Sequence, residues 1–234
     1  MIVLFGLWTV LIKIPSSLYI FKREYLLTFR NYYDVLTIVI FFILGILIFI
    51  FSIGPEHKIY SQIGIGIIWT LLLLSTNLSI KKFYQDDFND GSIILFLISG
   101  ISFEFIVILK IITAWLFFQL PFLVIIPIAC LMLEVDQDKI LLLLLTFIIG
   151  SPILTALSSI SSSMNLLNDK NFVIGSIIVM LFSIPVIIFS VGIVEEKHEL
   201  VKAQLSILLG ILMLILAITP WISAICIRIA LRNK

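Results

Sequence analysis

Lys81 to Ser102 read K-K-F-Y-Q-D-D-F-N-D-G-S-I-I-L-F-L-I-S-G-I-S. Two lysines open the stretch, and Asp86, Asp87, Asn89 and Asp90 gather ahead of Gly91. The chain then turns apolar for only Ile93 to Ile98 before Ser99 and Gly100. A helix needs about 20 apolar residues to cross a bilayer, so this run cannot span one. An acidic start followed by a short apolar run predicts a surface helix over residues 86–98, with Asp90 or a neighbour as its N-cap. Lys81 and Lys82 directly after an apolar run place that helix on the cytoplasmic side, offered to a cytoplasmic partner.

Everything around it is far more apolar. The 234 residues are 62% hydrophobic and 12% charged, with a mean hydropathy of +1.26. Soluble domains hold about 45–50% apolar residues, so the composition is that of a multi-pass membrane protein. A formal net charge of +1 argues against nucleic acid as a partner. Cys130 and Cys226 both sit in apolar runs and predict packing residues rather than a disulfide. No G-x-x-x-x-G-K-[ST] occurs, so the chain does not hydrolyse ATP on its own.

Residues 1–17 form an N-terminal extension whose apolar run, Ile2 to Ile12, is too short to span and has Lys13 after it rather than before. A translation start placed too far upstream accounts for it as well as a real segment does. Over residues 18–34, Lys22, Arg23, Glu24 and Arg30 alternate with Leu18, Tyr19, Phe21, Tyr25, Leu26 and Phe29. That spacing predicts an amphipathic helix in the interface, basic side to the cytoplasm. Six spans follow within residues 35–231, over about 35–53, 62–80, 103–133, 140–164, 172–194 and 203–227. Pro121 and Pro127 predict a kink or break in the third.

The basic residues set the orientation. Lys13, Lys22, Arg23, Arg30, Lys81, Lys82, Lys110, Lys170, Arg228, Arg232 and Lys234 fall on one side or toward it. Lys58, Lys139, Lys197 and Lys202 fall on the other. The bias puts both termini in the cytoplasm and Glu56 and Glu195 outside.

Several pieces form a pattern. Ser52 to Glu56 (S-I-G-P-E), Gly64 to Trp69 (G-I-G-I-I-W), Phe83 to Ser92 (F-Y-Q-D-D-F-N-D-G-S) and Leu109 to Trp115 (L-K-I-I-T-A-W) occur in that order. Gly150-Ser151-Pro152, Ile184-Pro185-Val186 and T-P-W-I-S-A-I-C-I-R-I-A-L from Thr219 to Leu231 follow. This resembles the haem exporter protein B (CcmB) family over roughly Leu18 to Leu231. The resemblance implies an all-α, ABC-2-type permease fold in a bacterial inner membrane, ahead of a mitochondrial one. It further implies an ABC complex for cytochrome c maturation, with a separate cytoplasmic ATPase, a haem-handling membrane subunit and a haem chaperone. Two copies per complex are implied, with ATP bound by the partner and haem a substrate rather than a resident cofactor. ATP-driven motion would serve haem export or the release of haem-loaded chaperone. The alternatives are an ABC-2 permease for another substrate and an ATP-independent carrier or scaffold.

On that resemblance Asp86, Asp87, Asp90, Gly91, Ser92 and Phe96 are the residues that dock on the ATPase, and no residue is catalytic. The three aspartates do not make a calcium loop, because counting from Asp86 places Phe88 third and Leu97 twelfth. Glu56, Lys110 and Arg228 are further polar candidates. Lys110 lies about 10 Å into the third span, where snorkelling to the interface competes with a paired role in a polar seam. His57 and His198 are of a type that ligates haem iron, but they lie outside the matched motifs and are not assigned that role. No metal site is expected.

Overall fold

The computed structural model describes residues 22–26, 32–54, 57–78, 83–98, 102–167, 172–195 and 200–233. The first two long helices, α1 (Tyr32–Ile53) and α2 (His57–Leu78), make a hairpin. Gly54 supplies its turn with φ +78, a conformation open to glycine, and the Tyr60 hydroxyl donates to the Ile50 carbonyl at 2.8 Å. A small stripe of α1 (Ile38, Phe42 and Ile46) joins the deeply buried Ile65, Ile68, Trp69 and Leu72 of α2 in one core cluster. Much of the rest of α1 is exposed and apolar, as a helix facing lipid should be.

The polar stretch forms two short helices, α3 (Gln85–Asn89) and α4 (Ser92–Ile98), not the single helix expected over 86–98. The break falls at Asp90-Gly91, where Gly91 has φ +75 and its N–H bonds the Phe88 carbonyl at 3.4 Å. Asp90 therefore closes α3 as its C-cap rather than opening the following helix.

The third span is α5 (Phe103–Ala114), a π-turn (Trp115–Gln119) and α6 (Phe122–Met132). Pro121 has no N–H to give and its ring collides with the carbonyl four residues back, so the helix widens just before it. The Leu120 N–H bonds the Trp115 carbonyl at 3.3 Å, five residues back. The expected interruption thus lies ahead of Pro121, whereas Pro127, Pro152, Pro185 and Pro220 sit inside continuous helices.

Three more long helices complete the bundle: α7 (Gln137–Asn165), α8 (Phe172–Glu195) and α9 (Val201–Arg232). α7 is its axis and lies against α2, α5, α6, α8 and α9. From Ile153 to Ser163 every side chain of α7 is buried, and most are Ser, Thr or Ala. Small side chains let helices approach closely in lipid, where dispersion rather than hydrophobic exclusion drives association. Six helices are long and apolar enough to cross a membrane, in the order expected, and no strand occurs among the described residues. Their ends differ by a few residues: α1 begins at Tyr32, not 35, and α9 runs to Arg232, not 227.

The interior divides in two. One cluster joins α1, α2, α6, α7, α8 and the start of α9. The other joins Phe83, Tyr84 and Ile93 to one face of α5 and to Ala224, Ile227 and Ala230 of α9. Of the expected interfacial helix, residues 22–26 are helical and Tyr32–Asp34 belongs to α1, while the rest, with residues 1–17, lies outside the described residues.

Candidate functional site

Lys110 decides where the chemistry gathers. Its side chain lies two turns inside α5 and is only 7% exposed. Glu104 is six residues away on the same helix, off its face, so a carboxylate must come from another element. Two do. Lys110 Nζ lies 2.8 Å from Glu24 Oε2 and 2.5 Å from Asp87 Oδ2. Arg23 bridges the same two acids, 2.6 Å from Glu24 Oε1 and 2.7 Å from Asp87 Oδ1. The result is a ring in which each carboxylate is held by both cations. Lys110 also donates to the Phe83 carbonyl at 3.5 Å and lies 5.8 Å from the centre of the Tyr84 ring.

Burial would push the Asp87 carboxyl up, but Lys110 and Arg23 outweigh it and hold it below its ordinary 3.8. Tyr84 responds the other way. It is buried, its hydroxyl pairs with Ser159 Oγ at 2.7 Å, and burial raises it above its ordinary 10.0. Ser159 in turn meets Ser223 Oγ of α9 at 3.3 Å. Further into the bundle, Trp115 Nε1 donates to Ser151 at 2.9 Å and Gln119 Nε2 to Thr76 at 2.9 Å. A ladder of neutral hydroxyl contacts therefore rises from a charged base.

The expected site residues separate into two groups. Asp87 and Lys110 come together in the ring, so Lys110 is paired in a polar seam and does not snorkel. Asp86 and Asp90 stay exposed on α3 and its turn, Gly91 makes the break, and Ser92 opens α4. α4 turns Ile93 inward and leaves Ile94, Leu95 and Ile98 exposed, with Ile98 at 73%. The side chain of Phe96 and all of Glu56 and His198 lie outside the described residues, as does the His57 side chain.

Arg228 stands apart from the ring. It pairs with Glu104 at 2.7 Å, joining the end of α9 to the first turn of α5, and half of it is exposed. Exposed pairs contribute about 0–1 kcal/mol, so Arg228→Ala should lower stability by no more than about 1 kcal/mol in thermal unfolding in detergent.

Arg23, Glu24, Tyr84, Ser159 and Ser223 carry the network without having been singled out from sequence. A lysine two turns deep in a span is the signal that demanded an acid. Nothing local said which acid it would be.

Six membrane-length helices among the described residues, with a short polar segment ion-paired onto the third, define a multi-pass helical membrane protein of the permease type. The chain belongs to the CcmB family: the family profile, described as CcmB protein, matches residues 16–230. It is 32% identical over 216 residues to haem exporter protein B of Haemophilus influenzae, covering 92% of this chain and 98% of the relative. The proteins of the same name from Escherichia coli K12 and Pseudomonas aeruginosa are 28% and 26% identical, over 91% and 89% of this chain. Those alignments cover 98% and 94% of the two relatives.

Proposed function

We propose that this chain is the permease subunit of an ATP-driven haem exporter serving cytochrome c maturation in a bacterial inner membrane. In this reading α3–α4 is the surface on which a separate cytoplasmic ATPase acts. One observation carries it. The segment turns Asp87 inward onto Lys110 of the third span while Asp86, Asp90, Ile94, Leu95 and Ile98 face outward. A surface piece anchored to a span by buried charge can pass on a push. The outward face, apolar with an acidic edge, suits an apolar cleft with a basic rim.

Haem as the exported substrate rests on the relatives' name, haem exporter protein B. The haem-handling membrane subunit, the haem chaperone and two copies of this chain complete the complex. The excess of Lys and Arg on the α3–α4 side puts that side and both termini in the cytoplasm. Glu56→Cys, with Cys130 and Cys226 replaced, should accordingly be labelled only from outside.

Purification in mild detergent tests the reading: an ABC ATPase should copurify with the wild-type chain. Ile98→Asp should insert normally yet bind the ATPase about 30-fold less tightly, since charge in an apolar contact costs at least about 2 kcal/mol. Undiminished copurification would remove α3–α4 from the contact. His57→Ala combined with His198→Ala should leave cytochrome c yield nearly intact, and its abolition in an assembled complex would make a loop histidine the haem ligand.

A further inference from the structure

We propose that Arg23 and Glu24 are positioning residues, which through the ring with Asp87 and Lys110 make residues 22–26, α3–α4 and α5 a single lever hinged at the π-turn Trp115–Gln119. This rests on the reading that α3–α4 receives the ATPase, and adds which part of the chain moves with it.

The ring is closed, with Glu24, Asp87 and Lys110 buried and Arg23 at its partly open edge. Pulling α3 or α5 out of the ring takes Asp87 or Lys110 from both of its partners at once, which is strongly unfavourable for a buried charge, so the three segments move together. A second attachment reinforces the first. Tyr25 packs edge-on against Phe117, with ring centres 5.1 Å apart, so the N-terminal segment runs along the third span from Lys110 into the π-turn. That distance is seven residues, or about 10 Å of helix.

The hinge position follows from packing. α5 belongs to the cluster that holds Phe83, Tyr84 and Ile93, whereas Phe122, Ile126, Ala129 and Cys130 of α6 belong to the larger cluster around α2 and α7. The backbone irregularity falls at the boundary between these two cores, where Pro121 denies the helix an N–H. The polar contacts that join the lever to the rest of the bundle are of a different kind. Tyr84–Ser159 and Trp115–Ser151 are neutral pairs and Glu104–Arg228 is an ion pair half open to water, and such contacts exchange partners at far lower cost than buried charges do. Buried charge holds the lever together, and neutral or water-exposed pairs let it slide.

Balanced removal of charge separates this role from a merely structural one. Lys110→Met takes from Glu24 and Asp87 the buried cation they share, and the chain should accumulate poorly with little ATPase attached. Glu24→Gln with Lys110→Met leaves Arg23–Asp87 as a neutral pair, which should return chain level and ATPase copurification to within about twofold of wild type. ATP hydrolysis should persist. The ionic attachment to α5 is gone, however, so cytochrome c yield should stay down on the order of tenfold, an ordinary size for a coupling effect.

Three results would overturn the lever. They are wild-type cytochrome c yield in the double variant, assembly of the double variant no better than that of Lys110→Met, and normal assembly and yield in Lys110→Met itself. A wild-type chain that carries no ATPase would instead reject the docking reading on which the lever rests.

Discussion

Replacing Asp87 by lysine is expected to free α3–α4 from the third span, while the same replacement at Asp86 leaves the segment in place. Asp87 gives one oxygen to Arg23 at 2.7 Å and the other to Lys110 at 2.5 Å. A lysine there would add a third cation beside Arg23 and Lys110 and remove the acid that both of them hold, inside a site only 7–9% exposed at Glu24, Asp87 and Lys110. Breaking a buried pair by removing one partner costs about 3–5 kcal/mol, and adding a like charge deepens the loss. Asp86 faces water, where substitutions change stability by about 0.5 kcal/mol or less. Limited proteolysis in detergent reads the difference as rapid cleavage within residues 83–98 for Asp87→Lys only. Equal protection in both variants would mean that the ring holds nothing.

Acid should act on the same group. The Asp87 carboxyl is held below its ordinary 3.8, so its contribution is fully present above that value. It is lost only as the pH falls through the lowered value. The segment should stay protected from cleavage throughout the mildly acidic range.

The second large effect is expected at Gly175. A Cβ there would run into Ser161 Oγ, lie 2.6 Å from Asn165 Oδ1 and come within 3.1 Å of the Ser161 carbonyl. The carbonyl belongs to the α7 backbone and cannot swing aside, so α8 must back away from the axis of the bundle. Gly175→Ala should cost about 1–3 kcal/mol and Gly175→Leu about 3 kcal/mol or more. Gly66 is the control, because nothing stands within 4 Å of its missing Cβ. Gly66→Ala should be neutral or raise stability by up to about 1 kcal/mol through helix propensity. Thermal unfolding in detergent should therefore rank Gly66→Ala, Gly175→Ala and Gly175→Leu in descending order. A Gly175→Leu chain as stable as wild type would contradict the close α7–α8 approach.

The spans were legible because an apolar run of sufficient length has one outcome in lipid. Pro121 announced an interruption, and the motifs from Ser52 to Leu231 pointed to the family whose profile the chain matches. The ring was not legible. Its members lie 64 and 86 residues apart in sequence, and periodicity reports only neighbours within a few turns. Arg23 and Glu24 read as one face of an interfacial helix, which is what their spacing suggests when no partner is in view. Asp87 and Asp90 looked interchangeable in an acidic run. A one-residue difference in phase on α3 decides which acid meets Lys110, and the turn at Gly91 decides that Asp90 ends a helix instead of starting one.

If α3–α4 is the contact for the ATPase, a photo-crosslinker in place of Leu95 should capture that subunit. Leu95 is 66% exposed on α4, and Ile48, 67% exposed within α1, serves as the lipid-facing comparison. Irradiated in membranes that hold the whole complex, the Leu95 position should form an adduct with the ATPase subunit, and the Ile48 position should not. An adduct of Leu95 with lipid alone would contradict the account.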